Sequence, residues 1–207
     1  MLPFATLASF FAFSVLLGLS PGPDNIFVLT QSAMQGRKAG IFVTLGLATG
    51  LLFHTALVAF GVAALFQASA IAFTMLKVAG ALYLLYLAWG AWRAGASSIE
   101  GKANQLGSLQ LYRRGIIMNI TNPKVSIFFL AFLPQFADPK LGALSLQIML
   151  LGGVFMVATL LVFGAVALLA GSLGDWLRRT PNWQQIMNRT AAVVFTGLAV
   201  KLLSTSR

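Results

Sequence analysis

Six long stretches with almost no charge dominate this chain of 207 residues. They lie at about residues 3–34, 41–66, 71–92, 113–137, 144–170 and 187–204. A membrane-spanning helix needs about 20 predominantly apolar residues, whereas a soluble domain carries about 25% charged residues. The charged fraction here is 9%, which is too low to coat a water-facing surface. The sequence therefore predicts an all-α integral membrane protein with six transmembrane helices.

The remaining composition excludes several classes of function. The chain has no cysteine, one histidine and four acidic residues, so it offers no thiolate site and few oxygen ligands inside the spans. The formal net charge is +10, but the basic residues lie in short runs between apolar stretches, as they do at membrane edges. No arrangement typical of a catalytic site appears within the spans. We therefore predict no enzyme, no cofactor, no bound metal and no nucleic-acid partner.

Basic residues are distributed unevenly between the two sides of the predicted bundle. The connections after spans one, three and five carry nine of them, and the opposite side carries two. Cytoplasmic loops are enriched in Lys and Arg, so both termini are predicted to lie outside the cytoplasm. The N-terminus, which has no Lys or Arg before residue 37, is interpreted as a retained first span rather than a signal peptide. The nine residues are Arg37, Lys38, Arg93, Lys102, Arg113, Arg114, Arg178, Arg179 and Arg189, against Lys140 and Arg207.

Proline interrupts two of the spans at matching positions. Gly22-Pro23-Asp24 in span one lies 100 residues before Asn122-Pro123-Lys124 in span four. Each interrupted span is the first of three, and an odd number of spans means that the second half enters the membrane inverted. The prediction is one transmembrane domain, 1–207, with inverted halves at about 1–93 and 113–207 and a cytoplasmic loop at about 94–112. Paired broken helices in inverted halves are typical of a transporter's binding site.

The two breaks fall near the middle of the bilayer. Asp24 lies 13 residues before Arg37, which is roughly 20 Å of helix. Asn122 lies 9 residues after Arg113, which is roughly 14 Å. Half of the hydrocarbon core is about 15 Å thick, so both breaks are predicted to lie close to the midplane.

Each break combines one charge with one helix N-terminus. Pro23 and Pro123 suit the first position of a helix, and Asn122 suits the N-cap before it. Helix N-termini attract carboxylates, while Asp24 suits an ammonium group and Lys124 a carboxylate. The pattern predicts a site for a zwitterion such as an α-amino acid; the alternative is a permanent Asp24–Lys124 ion pair that only fixes helix packing. The predicted binding residues are Pro21, Gly22, Pro23, Asp24, Asn25, Asn122, Pro123 and Lys124.

Span two carries three further residues of interest. His54 lies near mid-depth, and its imidazole changes charge near neutral pH, so Asp24 and His54 are the candidates for proton coupling. The alternative for His54 is a hydrogen-bonded packing histidine that faces the bundle. Gly46 and Gly50 allow close helix contact either within the bundle or between two copies, which leaves a homodimer as an option.

These motifs together resemble the LysE/RhtB family of bacterial amino-acid exporters. The resemblance is carried by residues 20–25, 46–50, 77–89 and 119–124, and it covers nearly the whole chain. It implies an inner-membrane exporter of amino acids or close derivatives, driven by proton exchange, and it adds Asn119 to the predicted binding residues. The alternatives are a small-ion transporter or channel and a membrane assembly factor that transports nothing.

Overall fold

The first half of the chain is one broken helix followed by two continuous ones. The computed structural model describes residues 2–62, 70–94, 106–179 and 181–204. In the first half, α1 (Phe4–Leu19) and α2 (Pro23–Gln35) form the broken span. α3 (Arg37–Leu57) follows and continues as a π-helical turn (Val58–Val62), and α4 covers Ala70–Arg93.

The second half repeats this order. α5 (Ser108–Thr121) and α6 (Pro123–Ile127) form the second broken span, which continues as a π-helical turn (Phe128–Phe132) and a 3₁₀ turn (Leu133–Phe136). A second 3₁₀ turn (Pro139–Leu141) then leads into α7 (Leu144–Arg179) and α8 (Pro181–Ser204). Short stretches of π- and 3₁₀-helix often mark functional sites or hinges.

The helices are long and apolar enough for a multi-pass membrane protein, which confirms the predicted fold class. Four of them qualify individually, and the number rises to six if each bent pair counts as one span. The bend is 62° between α1 and α2 and 50° at the second break. Large apolar side chains are exposed along the bundle, as a lipid-facing surface requires. They include Leu52, Phe60, Met75, Leu161 and Val200.

Corresponding helices of the two halves have corresponding packing partners. α3 packs along α5, α1 packs along α7, and α4 packs along α8. In each of the first two pairs, the second span of one half lies against the segment before the break of the other half. The inverted repeat stays a prediction, and this pairing is the arrangement that such a repeat requires.

Two hydrophobic clusters lie on either side of the breaks. α1 and the segment after the second break share a cluster rich in phenylalanine, with Phe10 and Phe136 at 5.1 Å between ring centroids. α2 and α5 share a second cluster with α3 and α7, which includes Val28, Leu47, Leu111 and Val162. The first segment of each broken span therefore packs with the last segment of the other, so that the breaks lie between the clusters.

Several predicted boundaries are wrong, and they are wrong in the same way. The predicted basic loop at 171–189 is largely helix, because α7 runs to Arg179 and α8 begins at Pro181. α5 begins at Ser108, inside the predicted loop 94–112. Basic residues mark the edge of the membrane, but Arg, Leu and Gln are good helix formers and let a helix continue into water. The predicted turn near 67–70 lies mostly outside the described residues.

Candidate functional site

The first break follows from its two prolines. Pro21 has no N–H, so the carbonyl of Leu17, four residues earlier, loses its helical donor. Proline also disfavours helical geometry at the residue before it, and Ser20 is extended with φ −60° and ψ 123°. α2 then begins at Pro23 after Gly22, whose position offers no side chain to cap the new helix.

Side chains from elsewhere satisfy the freed end of α1. The Lys124 ammonium donates from Nζ to the carbonyl of Ser20 at 3.1 Å and to that of Leu17 at 3.4 Å. Asn25 donates from Nδ2 to the carbonyl of Gly18 at 2.6 Å. The last carbonyls of a helix carry partial negative charge, so a cation is stabilising there. Lys124, which belongs to the second half, thus caps a helix of the first.

The second break supplies the cap of its own helix, and His54 contacts the carbonyl that its proline frees. Asn122 is extended, with φ −75° and ψ 108°, and its Oδ1 accepts a hydrogen bond of 3.0 Å from the backbone N–H of Lys124. This confirms the predicted N-cap. Pro123 leaves the carbonyl of Asn119 without its helical donor. That carbonyl accepts from the backbone N–H of Asn122 at 3.1 Å and lies 3.1 Å from Nε2 of His54.

One side-chain hydrogen bond joins the two breaks directly. Asn122 donates from Nδ2 to Oδ2 of Asp24 at 2.9 Å, and both residues are buried. Asp24 is 2% exposed and Lys124 is 7% exposed, so both charges are withdrawn from the surface of the bundle. A direct Asp24–Lys124 hydrogen bond is not among those formed by the described residues, because the lysine donates to the end of α1. The two opposite charges are buried close enough to interact electrostatically, so the alternative of a permanent Asp24–Lys124 ion pair stays a prediction.

Buried oxygen atoms surround the first break without hydrogen-bond partners among the described residues. They are Oγ of Ser20, Oδ1 of Asp24 and Oδ1 of Asn25, joined by Oδ1 of Asn119 beside the second break. A buried polar atom without a partner costs about 1–3 kcal/mol. Carboxylate and amide oxygens only accept, and a hydroxyl does either, so this cluster suits a ligand that donates several hydrogen bonds.

Gly22 lies close to Lys124 and to one of these oxygens. A Cβ added there would lie 3.0 Å from Nζ of Lys124 and 3.9 Å from Oδ1 of Asn25. A donor and an acceptor therefore both lie near the position that a side chain at residue 22 would occupy, and the first of them would be in tight contact with it.

The predicted binding residues divide into three groups by their placement. Asp24, Asn119, Asn122 and Lys124 are buried, and so is His54, the other residue predicted for proton coupling. Pro21, Gly22 and Asn25 are half-buried, while Pro23 and Pro123 are exposed and serve to start α2 and α6.

Sequence reasoning missed two contributors to this site. The hydroxyl of Ser20 is buried in the cluster, and the carbonyl of Leu17 receives Lys124. The carbonyl was predictable, because it lies four residues before Pro21. The hydroxyl had no such signal.

The small residues of α3 are used inside the bundle. A Cβ on Gly46 would overlap the backbone carbonyl of Tyr112 on α5, and one on Gly50 would lie 2.7 Å from Cβ of Asn119. The prediction that they allow close helix contact holds for the bundle itself. Because Gly46 and Gly50 face α5, they do not support a homodimer, which stays a prediction.

The described residues show no cluster of three or more His, Cys, Asp or Glu side chains that could hold a metal ion. The charged groups at the breaks are instead held by amide and carbonyl groups from two half-spans. Two interrupted spans that meet at a buried polar site define a class of polytopic membrane transport protein.

Comparison with known proteins gives the same class. Residues 15–206 match the LysE type translocator family, and the chain belongs to that family. A homoserine/homoserine lactone efflux protein of Salmonella typhimurium is 36% identical over 195 residues, which cover 94% of this chain and 93% of the relative. A membrane protein of Vibrio cholerae is 32% identical over 195 residues, 94% of either chain. A membrane protein of Bacillus subtilis is 25% identical over 206 residues, 95% of this chain and 97% of its own. No solved structure matches the chain.

Proposed function

We propose that this protein is a secondary transporter that exports a small amino acid or a close derivative, such as homoserine, in exchange for protons. The observation that carries the proposal is the group of unpartnered buried oxygen atoms around Asp24. A primary ammonium group offers three N–H donors and a positive charge, so it suits a carboxylate with neighbouring oxygens. The relative from Salmonella is named for the efflux of homoserine and homoserine lactone, and both compounds carry such an amine.

The same site offers partners for a carboxylate. The N-terminus of α2 has no side-chain cap at Gly22, so its first N–H groups and partial positive charge are available. Lys124 donates two of its three N–H groups to α1, and the third remains for a ligand beside Gly22. An α-amino acid carries its ammonium and carboxylate on one carbon atom. A donor, Nζ of Lys124, and an acceptor, Oδ1 of Asn25, both lie within 4 Å of the Cβ position of residue 22, which supports a ligand that carries both groups.

Proton coupling is assigned to Asp24. A protonated Asp24 no longer attracts the ammonium group, so proton and substrate compete for the same carboxylate. Rocking one half of the bundle against the other then exchanges one for the other across the membrane. Each elementary charge that crosses is worth about 2.3 kcal/mol per 100 mV of membrane potential, which favours inward proton flow.

The proposed location is the bacterial inner membrane, with both termini outside the cytoplasm. Arg93, Arg113, Arg114 and Arg189 are exposed at one end of the bundle, whereas Lys140 is exposed in the turn at the other end. The uneven distribution of basic residues supports a cytoplasmic position for the first end. A reporter that works only in the cytoplasm should be inactive when fused to the C-terminus and active when inserted at about residue 100.

Transport of labelled homoserine into inverted membrane vesicles tests the function. We expect wild-type vesicles to accumulate homoserine when a proton gradient is applied, and Asp24→Asn to abolish accumulation while it still inserts into the membrane. Asp138→Asn is the matched control, because Asp138 caps a turn far from the breaks and asparagine caps equally well. Normal accumulation by Asp24→Asn would exclude the coupling role.

The same vesicles distinguish a carrier from the two alternatives, a channel and an assembly factor. A carrier should show saturable exchange of labelled against unlabelled homoserine, whereas a channel should show no such counterflow. An assembly factor should transport nothing in vesicles that contain it alone.

A further inference from the structure

We infer that His54 is a positioning residue, which fixes the second break by donating from Nε2 to the carbonyl of Asn119. This inference rests on the proposed function, because the break that His54 fixes is part of the proposed substrate site. It assigns His54 a different role from the proton coupling that the sequence suggests.

The need for a donor follows from the position of the proline. In an α-helix each N–H donates to the carbonyl four residues earlier, so residue 123 would donate to Asn119. Pro123 has no N–H to donate. His54 Nε2 lies 3.1 Å from this carbonyl oxygen, which can only accept. The hydrogen of the neutral ring must therefore be on Nε2.

The surroundings of His54 hold its ring in this orientation. The residue is 2% exposed, and its ring lies 5.5 Å from that of Phe129 and 5.8 Å from that of Phe53. Gly50, one turn earlier on the same face of α3, lets the helix approach the side chain of Asn119. Close approach at Gly50 and the hydrogen bond from His54 thus act on the same residue of α5.

The first break shows the same solution. Pro21 frees the carbonyl of Leu17, and Lys124 donates to it from the other half of the chain at 3.4 Å. A distant side chain therefore supplies the missing donor for the carbonyl that Pro21 frees and for the one that Pro123 frees. His54 does for the second break what Lys124 does for the first.

The contacts of His54 lead to the proposed substrate site through amide groups. The carbonyl of Asn119 also accepts from the backbone of Asn122, whose side chain donates to Asp24. Amides do not titrate in the physiological range, so this path transmits position and does not carry a proton from His54 to Asp24. A shift of Asn119 would displace Asn122 and with it the orientation of the Asp24 carboxylate.

The test compares His54→Gln with His54→Leu in vesicles that take up labelled homoserine. The Nε2 amide of glutamine can donate to the same carbonyl, and leucine cannot. We expect His54→Gln to keep the apparent KM within about threefold of wild type and to retain proton-driven accumulation. His54→Leu should raise the apparent KM roughly tenfold, because the buried carbonyl of Asn119 loses one of its two donors and keeps only the backbone N–H of Asn122.

Thr44→Val is the matched control. Thr44 is also buried on α3, but its hydroxyl donates to Gly40 within the same helix at 2.8 Å. Its loss should leave the apparent KM unchanged. If His54→Leu has the same KM as Thr44→Val, the positioning role is refuted. The role is also refuted if both His54 variants lose accumulation but keep homoserine counterflow, since that pattern indicates proton transfer.

A second measurement is independent of transport. The chain contains one histidine, so ¹⁵N spectra of labelled protein in lipid nanodiscs report on His54 alone. We expect a hydrogen on Nε2 and not on Nδ1 of the neutral ring. The opposite tautomer would overturn the inference even if homoserine export is demonstrated, and the expected tautomer would stand even if homoserine is not the substrate.

Discussion

The two helix breaks have related sequences but opposite hydrogen-bond balances. At the second break, the Asn122 side chain caps its own helix through Oδ1 and also donates a hydrogen bond from Nδ2 to Asp24 of the first break. The first break has no side-chain cap at Gly22 and depends on Lys124 for the end of α1. Oxygens of Ser20 and Asp24 find no hydrogen-bond partner in the described part of the chain. The second break donates hydrogen bonds, and the first break accepts them.

We infer from this difference that the proposed substrate meets the first break and that the second break supports it. A ligand with several N–H donors would complete the first break, whereas at the second break Oδ1 of Asn119 is the one buried side-chain oxygen of the described residues that has no partner. The contacts between Asn122 and Asp24 and between Lys124 and α1 also join the two halves of the chain. The proposed rocking of one half against the other requires these contacts to change.

Removing the ammonium group of Lys124 should have the largest effect on transport and stability. Lys124→Met leaves the carbonyls of Leu17 and Ser20 without their donor and leaves Asp24 buried without an opposite charge. We expect transport to be lost and the free energy of unfolding to fall by about 3–5 kcal/mol, as for other broken buried charge pairs. Thermal unfolding in detergent and homoserine uptake check the two effects.

The double variant Lys124→Met, Asp24→Asn sharpens this result. It should be more stable than Lys124→Met alone, because no uncompensated charge remains, but it should not transport. If the double variant is no more stable than the single one, the two charges do not depend on each other.

Removing the hydrogen bond between Asn122 and Asp24, which joins the two breaks, should have the next largest effect. Asn122→Ser keeps an N-cap but removes the donor to Asp24, and Asn122→Ala removes both. We expect Asn122→Ser to lower the uptake rate roughly tenfold, since hydrogen bonds to charged groups contribute about 1.5–3 kcal/mol. Asn122→Ala should be less stable than Asn122→Ser by about 1 kcal/mol, the contribution of a cap. Equal uptake by wild type and Asn122→Ser would show that the link carries no function.

Adding a methyl group at Gly22, beside Lys124, should have the smallest effect on transport and stability. Gly22 has φ −173°, which any residue adopts, so Gly22→Ala causes no backbone strain. Its methyl group would lie 3.0 Å from Nζ of Lys124 and narrow the proposed site. We expect the apparent KM for homoserine to rise about threefold with the free energy of unfolding changed by less than about 0.5 kcal/mol.

Gly90→Ala is the control for this variant, because an added Cβ at position 90 meets no atom within 4 Å. Its KM should equal that of wild type. If Gly22→Ala behaves in the same way as Gly90→Ala, the space beside Gly22 is not part of the site.

The sequence predicts the existence of the elements better than the contacts between them. Apolar length predicts the spans, and prolines with a preceding Asn or Gly predict both breaks and the cap at Asn122. The donors to the freed carbonyls were not predictable, since His54 and Asn119 are 65 residues apart and Lys124 and Leu17 are 107 apart. Such contacts depend on how the spans pack, which periodicity does not specify. The helical segment at 171–179 was missed because basic residues mark the edge of the membrane and not the end of a helix.

The central claim is that the oxygens of the first break bind the ammonium end of the substrate. The chain has no cysteine, so Ser20→Cys provides a single thiol at this site. Its labelling by a methanethiosulfonate reagent with an ethylammonium group should be slowed by homoserine but not by N-acetylhomoserine. Ser14→Cys is the control: Ser14 is buried six residues earlier on α1 and already donates to Phe10, and homoserine should not affect its labelling. Equal labelling of Ser20→Cys with and without homoserine, in vesicles that transport homoserine, would contradict the claim.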